Sequence, residues 1–244
     1  MVLELVKETG LLQKRRKIKR AARLEGVVDV TLFGTASLEY WTNQLEDEAL
    51  EPIDTSGSAQ IMIISSEGRF WGQRFRELSI SVLARPVERP EDRDGAYLVA
   101  AFNSNRFFAF CERCFFSTPY EAEYIEVGCG EKTGFSISRD EGEALEAEVS
   151  RSVTFDAAQP DTWGGPVYLP TIPGSDRRLG FMARIEGKTV VLPFAAEDTT
   201  VLTGCDRPGV FQHLSQSGFY PSEWRIRPTA VHEKSKTYER SLLW

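Results

Sequence analysis

Residues 111 to 127 read CERCFFSTPYEAEYIEV and set two candidates for chemistry side by side. Cys111 and Cys114 have the Cys-x-x-Cys spacing that can grip a metal or cycle as a redox pair. Pro119 is followed by Tyr120 and Glu121, a phenol and a carboxylate, which can give and accept protons. A zinc site would need two more ligands, and Cys129 and Cys205 each stand alone; a redox pair would need exposure at a helix start. Phe107, Cys111, Cys114 and Phe115 instead recur at i, i+4, i+7 and i+8, the apolar stripe of a helix, where a free Cys acts as a small hydrophobe. Burial of both thiols and no metal site are the expectation. No motif implies a cofactor. GCGEKTG (128 to 134) has the wrong spacing for a phosphate loop and reads as a turn, and neither His213 nor His232 has a nucleophile or ligand pattern beside it.

The elements that must position Tyr120 are mostly strands. VVDVTLF, AQIMII, ELSISVLA, AYLVAAF and AEYIEV are short, rich in β-branched and aromatic residues, and frequently alternating; GFSIS, LEAEVSRSV, LGFMARIEG and KTVVLPF continue the pattern. Gly and Asp mark the reversals, as in Ser66-Glu67-Gly68 and Asp140-Glu141-Gly142. Two segments break the rhythm. One helix is predicted from the Ser37 N-cap over about residues 37 to 50, with Leu38, Trp41 and Leu45 on one face; the other covers about 104 to 116 and stops before Pro119. QPDTWGGPVYLPTIPGSDRRLG (159 to 180) reads as a long loop or lid. The fold class is mainly β (α+β), an antiparallel barrel or curved sheet with two short helices.

Within ELSISVLA, Leu78, Ile80 and Val82 share one side, while Glu77, Ser79 and Ser81 share the other. By the same alternation Tyr120, Ala122, Tyr124 and Glu126 are expected on one face.

The chain of 244 residues carries a net charge of −7, yet Lys14, Arg15, Arg16, Lys17, Lys19, Arg20 and Arg23 cluster without an acid, leaving −14 on the rest. Such a body repels nucleic acid, and the basic run is expected to be a solvated leader, residues 1–25, before a single domain, 26–244. The N-terminal segment is charged too early for a signal peptide and no stretch has the length of a membrane span, so a cytoplasmic protein with free thiols is expected. The expected partner is a small-molecule substrate, with no nucleic acid and no membrane; self-association into a homo-oligomer is left open.

GRFWGQRFRELSISVLARPV and GAYLVAAFNSNRFFAFCERCFFSTPYEAEYIEV together resemble the acetoacetate decarboxylase-like superfamily, as does the earlier LEYWTNQLEDEALEPIDTSGSAQIMI. The resemblance covers roughly residues 27 to 127, in element order more than in identities. It implies a barrel of that type with an active-site glutamate at Glu77, an arginine at Arg113 and the pre-lysine proline at Pro119. Tyr120 and Glu121 stand where the family has its lysine pair, and no lysine occurs from Ala21 to Glu131. In the family a lysine forms an imine with a β-keto acid, which tyrosine cannot do. The resemblance therefore implies a pocket with Glu77 and Tyr120 as catalytic groups and Arg113, Glu121 and Tyr124 as substrate-binding ones, unless a distant lysine such as Lys132 or Lys188 has taken over.

Two readings follow. One is an enzyme of specialised metabolism performing lysine-free proton transfer, dehydration or cyclisation on a carbonyl compound, of lyase or cyclase type. The other is a binding or structural member of the fold, in which Glu77 and Tyr120 complete a hydrogen-bonded core. A ligand-sized void reaching those two residues favours the first, and a core filled with aromatic side chains favours the second.

Overall fold

In the computed structural model, residues 18–88, 94–139, 142–205 and 209–243 are described. The first long strand, β1 (Arg20–Ser37), starts inside the segment expected to be a leader, and the basic residues 14–17 lie outside the described residues. The helix α1 follows at once (Leu38–Leu45), its N-terminus capped by the Ser37 hydroxyl, which accepts from the Tyr40 amide at 3.1 Å. It is shorter than predicted. Ala49 takes a positive φ of 49°, which turns the chain into the short strands β2 (Leu50–Pro52) and β3 (Asp54–Thr55).

The hairpin of β4 (Ser58–Phe70) and β5 (Gln73–Pro86) leads to β6 (Gly95–Asn103), the helix α2 (Arg106–Phe116) and β7 (Tyr120–Ala122). A small sheet comes next, from β8 (Tyr124–Gly128), β9 (Thr133–Ser138) and β10 (Ala144–Val149), joined later by β13 (Thr199–Thr203). The long strands β11 (Gln159–Tyr168) and β12 (Leu179–Pro193), the helix α3 (Val210–Gln216), then β14 (Tyr220–Ser235) and β15 (Tyr238–Glu239) complete the chain, with a 3₁₀ turn at Arg240–Leu242. The third helix and the strand character of residues 159–168 are not in the sequence-based expectation. Tyr168 and Val167 are buried between neighbouring strands, so the Pro- and Gly-rich segment is a loop only from Leu169 to Arg178.

The main sheet closes on itself. From β5 the order runs through β4, β1, β14, β12 and β11 to β6, and β6 pairs back onto β5. Every pairing in this ring is antiparallel except β11 with β6. At that parallel contact the backbones crowd: a Cβ on Gly95 would lie 2.2 Å from the Pro166 carbonyl oxygen, so only glycine fits. On the opposite side, Gly26 has φ +67° at a register shift between Glu25 and Val27, a bulge that bends β1 around the ring.

Alternation along the strands puts the principal core on the outer face of the ring, under the small sheet, α1 and α3. Leu78, Ile80 and Val82 are fully buried there, among Ile61, Ile63 and Trp224. The inner face carries Met62, Ile64, Glu77, Ser79 and Ser81 and encloses a cavity instead of a packed core.

Candidate functional site

The cavity inside the ring has a volume of about 250 Å³, with mostly apolar walls that include Phe70, Phe75, Phe108, Trp163 and Phe181. Glu77 reaches it from β5 and Tyr120 from β7. Two residues apart on β14, His232 and Lys234 reach it as well, and Glu112 does so from α2.

Helix α2 sets the orientation of this group. The Asn105 side chain caps it, its Oδ1 accepting from the amides of Phe107 (3.0 Å) and Phe108 (3.3 Å). The Asn105 amide in turn donates to Asn103 Oδ1 at 2.7 Å, which points the Asn103 Nδ2 group at Glu77 Oε1, 2.8 Å away. Asn103 is fully buried, so this amide is a fixed donor to the carboxyl group.

Burial, followed by the nearby charge of Glu112, pushes the Glu77 carboxyl up to about 7, against the opposing pull of Lys234, the Asn103 hydrogen bond and His232. Burial also holds the Tyr120 phenol well above its ordinary value, reinforced by Glu77 and Glu112, so it stays protonated as a donor. A carboxyl group poised near neutrality beside a protonated phenol is an acid–base pair in an apolar chamber.

Lys234 is in hydrogen-bond contact with Glu112 Oε2, which also accepts from Thr118 Oγ1 at 2.7 Å. Its ammonium lies over three ring faces, 4.5 Å from the Phe181 centroid, 4.9 Å from Phe116 and 5.8 Å from Tyr120. A carboxylate and aromatic faces are the surroundings of a cation, so Lys234 can stabilise negative charge that develops on a bound molecule.

No family model matches the chain, and no curated protein matches it in sequence. Solved structures match it in fold. An acetoacetate decarboxylase-like enzyme from Sphingomonas wittichii RW1 aligns over 96% of this chain and 98% of its own, with TM-score 0.54 and 11% identity. An acetoacetate decarboxylase from Legionella pneumophila subsp. pneumophila str. Philadelphia 1 aligns over 98% of both chains, with TM-score 0.55 and 9% identity. An enduracididine biosynthesis enzyme complexed with pyruvate aligns over 93% of both, with TM-score 0.59 and 13% identity. The chain has the acetoacetate decarboxylase-like fold. At such identities the likeness establishes the fold alone.

Of the residues singled out in the sequence, this fold brings Glu77 and Tyr120 to one cavity and leaves three outside its lining. Arg113 is exposed on the outer side of α2, its Nη1 donating to the Tyr120 carbonyl oxygen at 2.8 Å, so it braces the backbone at Tyr120. Glu121 follows Tyr120 in an extended strand, so it faces away, and it pairs with Arg139 at 2.6 Å. Tyr124 is 63% exposed and donates to Glu126 at 2.6 Å. The expected common face for residues 120 to 126 fails because the chain changes sheets at Glu123, between β7 and β8.

The cysteine stripe is also corrected. Cys111 is only partly buried, Cys114 is exposed, and Phe107 and Phe115 are 60% and 73% exposed. Helix α2 turns Phe108, Ala109, Glu112 and Phe116 inward, because it lies across the cavity instead of on the outer core. Asn103, Glu112, His232 and Lys234 were missed. The one local signal was alternation in VHEKS, where His232 and Lys234 share a face, but a charged strand end normally meets water.

Proposed function

We propose that the protein is a small-molecule enzyme of specialised metabolism that performs acid–base chemistry on a carbonyl compound inside the ring, without an imine intermediate. The observation that carries this reading is the meeting of Glu77, hydrogen-bonded by Asn103, with Tyr120 in one largely apolar cavity, where burial raises the carboxyl to about 7. Glu77 exchanges a proton with the substrate, Tyr120 donates a hydrogen bond to its carbonyl oxygen, and Lys234 offsets the charge that builds on that oxygen or on a carboxylate. Proton transfer, dehydration and ring closure can all use these roles without a covalent bond between enzyme and substrate.

The open, ligand-sized void favours catalysis over a purely structural role, since a structural member would fill that space with side chains. A biosynthetic neighbour of the same fold holding pyruvate supports a small oxo acid as the kind of molecule the chamber takes.

Incubation with pyruvate and sodium borohydride, followed by peptide mass mapping, tests the imine-free part. No adduct is expected, because Lys234 is engaged as a cation by Glu112; a stable mass increase on Lys234 overturns it. With a substrate identified by mass spectrometry of co-purifying molecules, Glu77→Gln and Tyr120→Phe should each lower turnover by about 10²-fold or more. Full turnover in both variants would place the chemistry elsewhere.

A further inference from the structure

We infer that His232, held by Asp29, is a second acid–base residue of the cavity and works through Nδ1 as the base that complements Glu77. This rests on the reading of the cavity as a site of carbonyl chemistry.

Asp29 is fully buried and lies inside the ring on β1. Its Oδ1 accepts from Arg227 Nη1 at 2.8 Å and from Thr31 Oγ1 at 3.0 Å. Its Oδ2 accepts no hydrogen bond among the described residues and lies 3.1 Å from His232 Nε2, an ion-pair distance at an angle outside hydrogen-bond geometry. That nitrogen is buried too and has no other partner among the described residues, while His232 is one of the residues that line the cavity. On this proposal the imidazole proton sits on Nε2, the nitrogen beside the carboxylate, and Nδ1 is the nitrogen that acts on a bound molecule. Burial alone would push Asp29 up, but His232 and Arg227 outweigh it and hold the carboxyl below its ordinary value, so it is an anion across the neutral range.

The other charges around the imidazole are already engaged. Lys234 pairs with Glu112, Arg184 with Glu186 at 2.8 Å, and Glu233 with Arg20 and Arg23. Glu77 is near enough for His232 to act on its charge, and on the acid side of neutrality it is an uncharged acid. Asp29 is therefore the anion that meets an imidazolium formed at His232, the role of the carboxylate behind a catalytic histidine.

The step balances. Nδ1 takes the proton from the carbon beside a carbonyl, and the C–H pair becomes the new C=C bond. The carbonyl π pair takes the proton of Glu77, giving a neutral enol. His232 is left as an imidazolium against Asp29, and Glu77 as a carboxylate in the field of Lys234; returning both protons restores the starting state.

Histidine ¹⁵N NMR on the whole protein tests the assignment without any substrate. The chain has two histidines, so a His213→Asn variant isolates the His232 signals. His232 should sit as the Nε2–H tautomer at neutral pH, and Asp29→Asn should weaken that preference; an Nδ1–H tautomer in the wild type overturns the proposal. The second arm follows deuterium exchange into the methyl group of pyruvate and the methylene of acetoacetate in D₂O. His232→Gln should lower exchange by about 10²-fold or more, as Glu77→Gln does. Exchange that survives His232→Gln but not Glu77→Gln overturns the role of His232 and leaves the function of the cavity standing. Absence of exchange by the wild type, with the expected tautomer, overturns the carbonyl chemistry itself. Should Asp29→Asn fail to fold because Arg227 loses one of its two carboxylate partners, Asp29 and Asp161, the wild-type tautomer and His232→Gln still decide.

Discussion

Glu77 joins the chemistry of the cavity to the stability of the fold. Its carboxyl is raised from 4.5 to about 7, by burial first and Glu112 second, so the folded state prefers it protonated. A raised acid stabilises the fold fully below the ordinary carboxylate range, and the contribution is lost as pH rises through about 7. Glu77→Gln keeps the neutral shape and an acceptor for Asn103. The variant should therefore unfold at a higher temperature than wild type at pH 9 and at nearly the same temperature at pH 5. Equal differences at both pH values in thermal melts would mean that Glu77 is not the titrating group. Its position was legible beforehand because a strand has a period of two: fully buried Leu78 and Ile80 force Glu77, Ser79 and Ser81 to the other side. His232 was not legible, since its partner Asp29 comes from the far end of the chain across bulged strands, and no local spacing encodes that meeting.

At the scale of elements, α2 is the piece whose existence was readable and whose orientation was not. Its boundaries follow from the Asn105 cap and the halt before Pro119, and the structure has both. Aromatic residues occur all around it, so the apolar stripe could be drawn in more than one place, and only packing across the cavity selects Phe108, Glu112 and Phe116 as the inward face. The cap also starts the relay through Asn103 to Glu77. Asn105→Ala removes the acceptor for two helix amides and should cost about 1 kcal/mol. Hydrogen exchange should show faster labelling of the Phe107 and Phe108 amides, with the strands of the ring unaffected. Unchanged protection of both amides would mean that packing of Phe108 against Phe70 and Phe75 alone holds the first turn.

For the whole molecule, the ring is tied shut by residues that carried no sequence signal. Arg240 lies just beyond the last strand, yet its side chain is only 7% exposed. It donates to the Leu169 carbonyl at 2.7 Å, to the Glu48 carbonyl at 2.6 Å and to Glu48 Oε2 at 2.7 Å. Glu48 in turn accepts from the Thr171 amide at 2.7 Å and its hydroxyl at 2.9 Å. One buried ion pair thus joins the turn after α1, the loop between β11 and β12, and the end of the chain, three segments that share no sheet pairing. Desolvating an arginine and a glutamate is costly, so the pair adds little net energy, but breaking it strands a buried charge. Arg240→Ala should therefore destabilise the fold by about 3 to 5 kcal/mol, lowering the melting temperature by roughly 6 to 20 °C for a domain of this size. The double variant Arg240→Met with Glu48→Gln removes both charges and should recover much of that loss. Arg240 does not line the cavity, so exchange or turnover measured well below the melting temperature should be kept in the single variant. A double variant no more stable than the single one would show that the fold depends on the hydrogen bonds to Leu169 and Glu48 carbonyls more than on the paired charges.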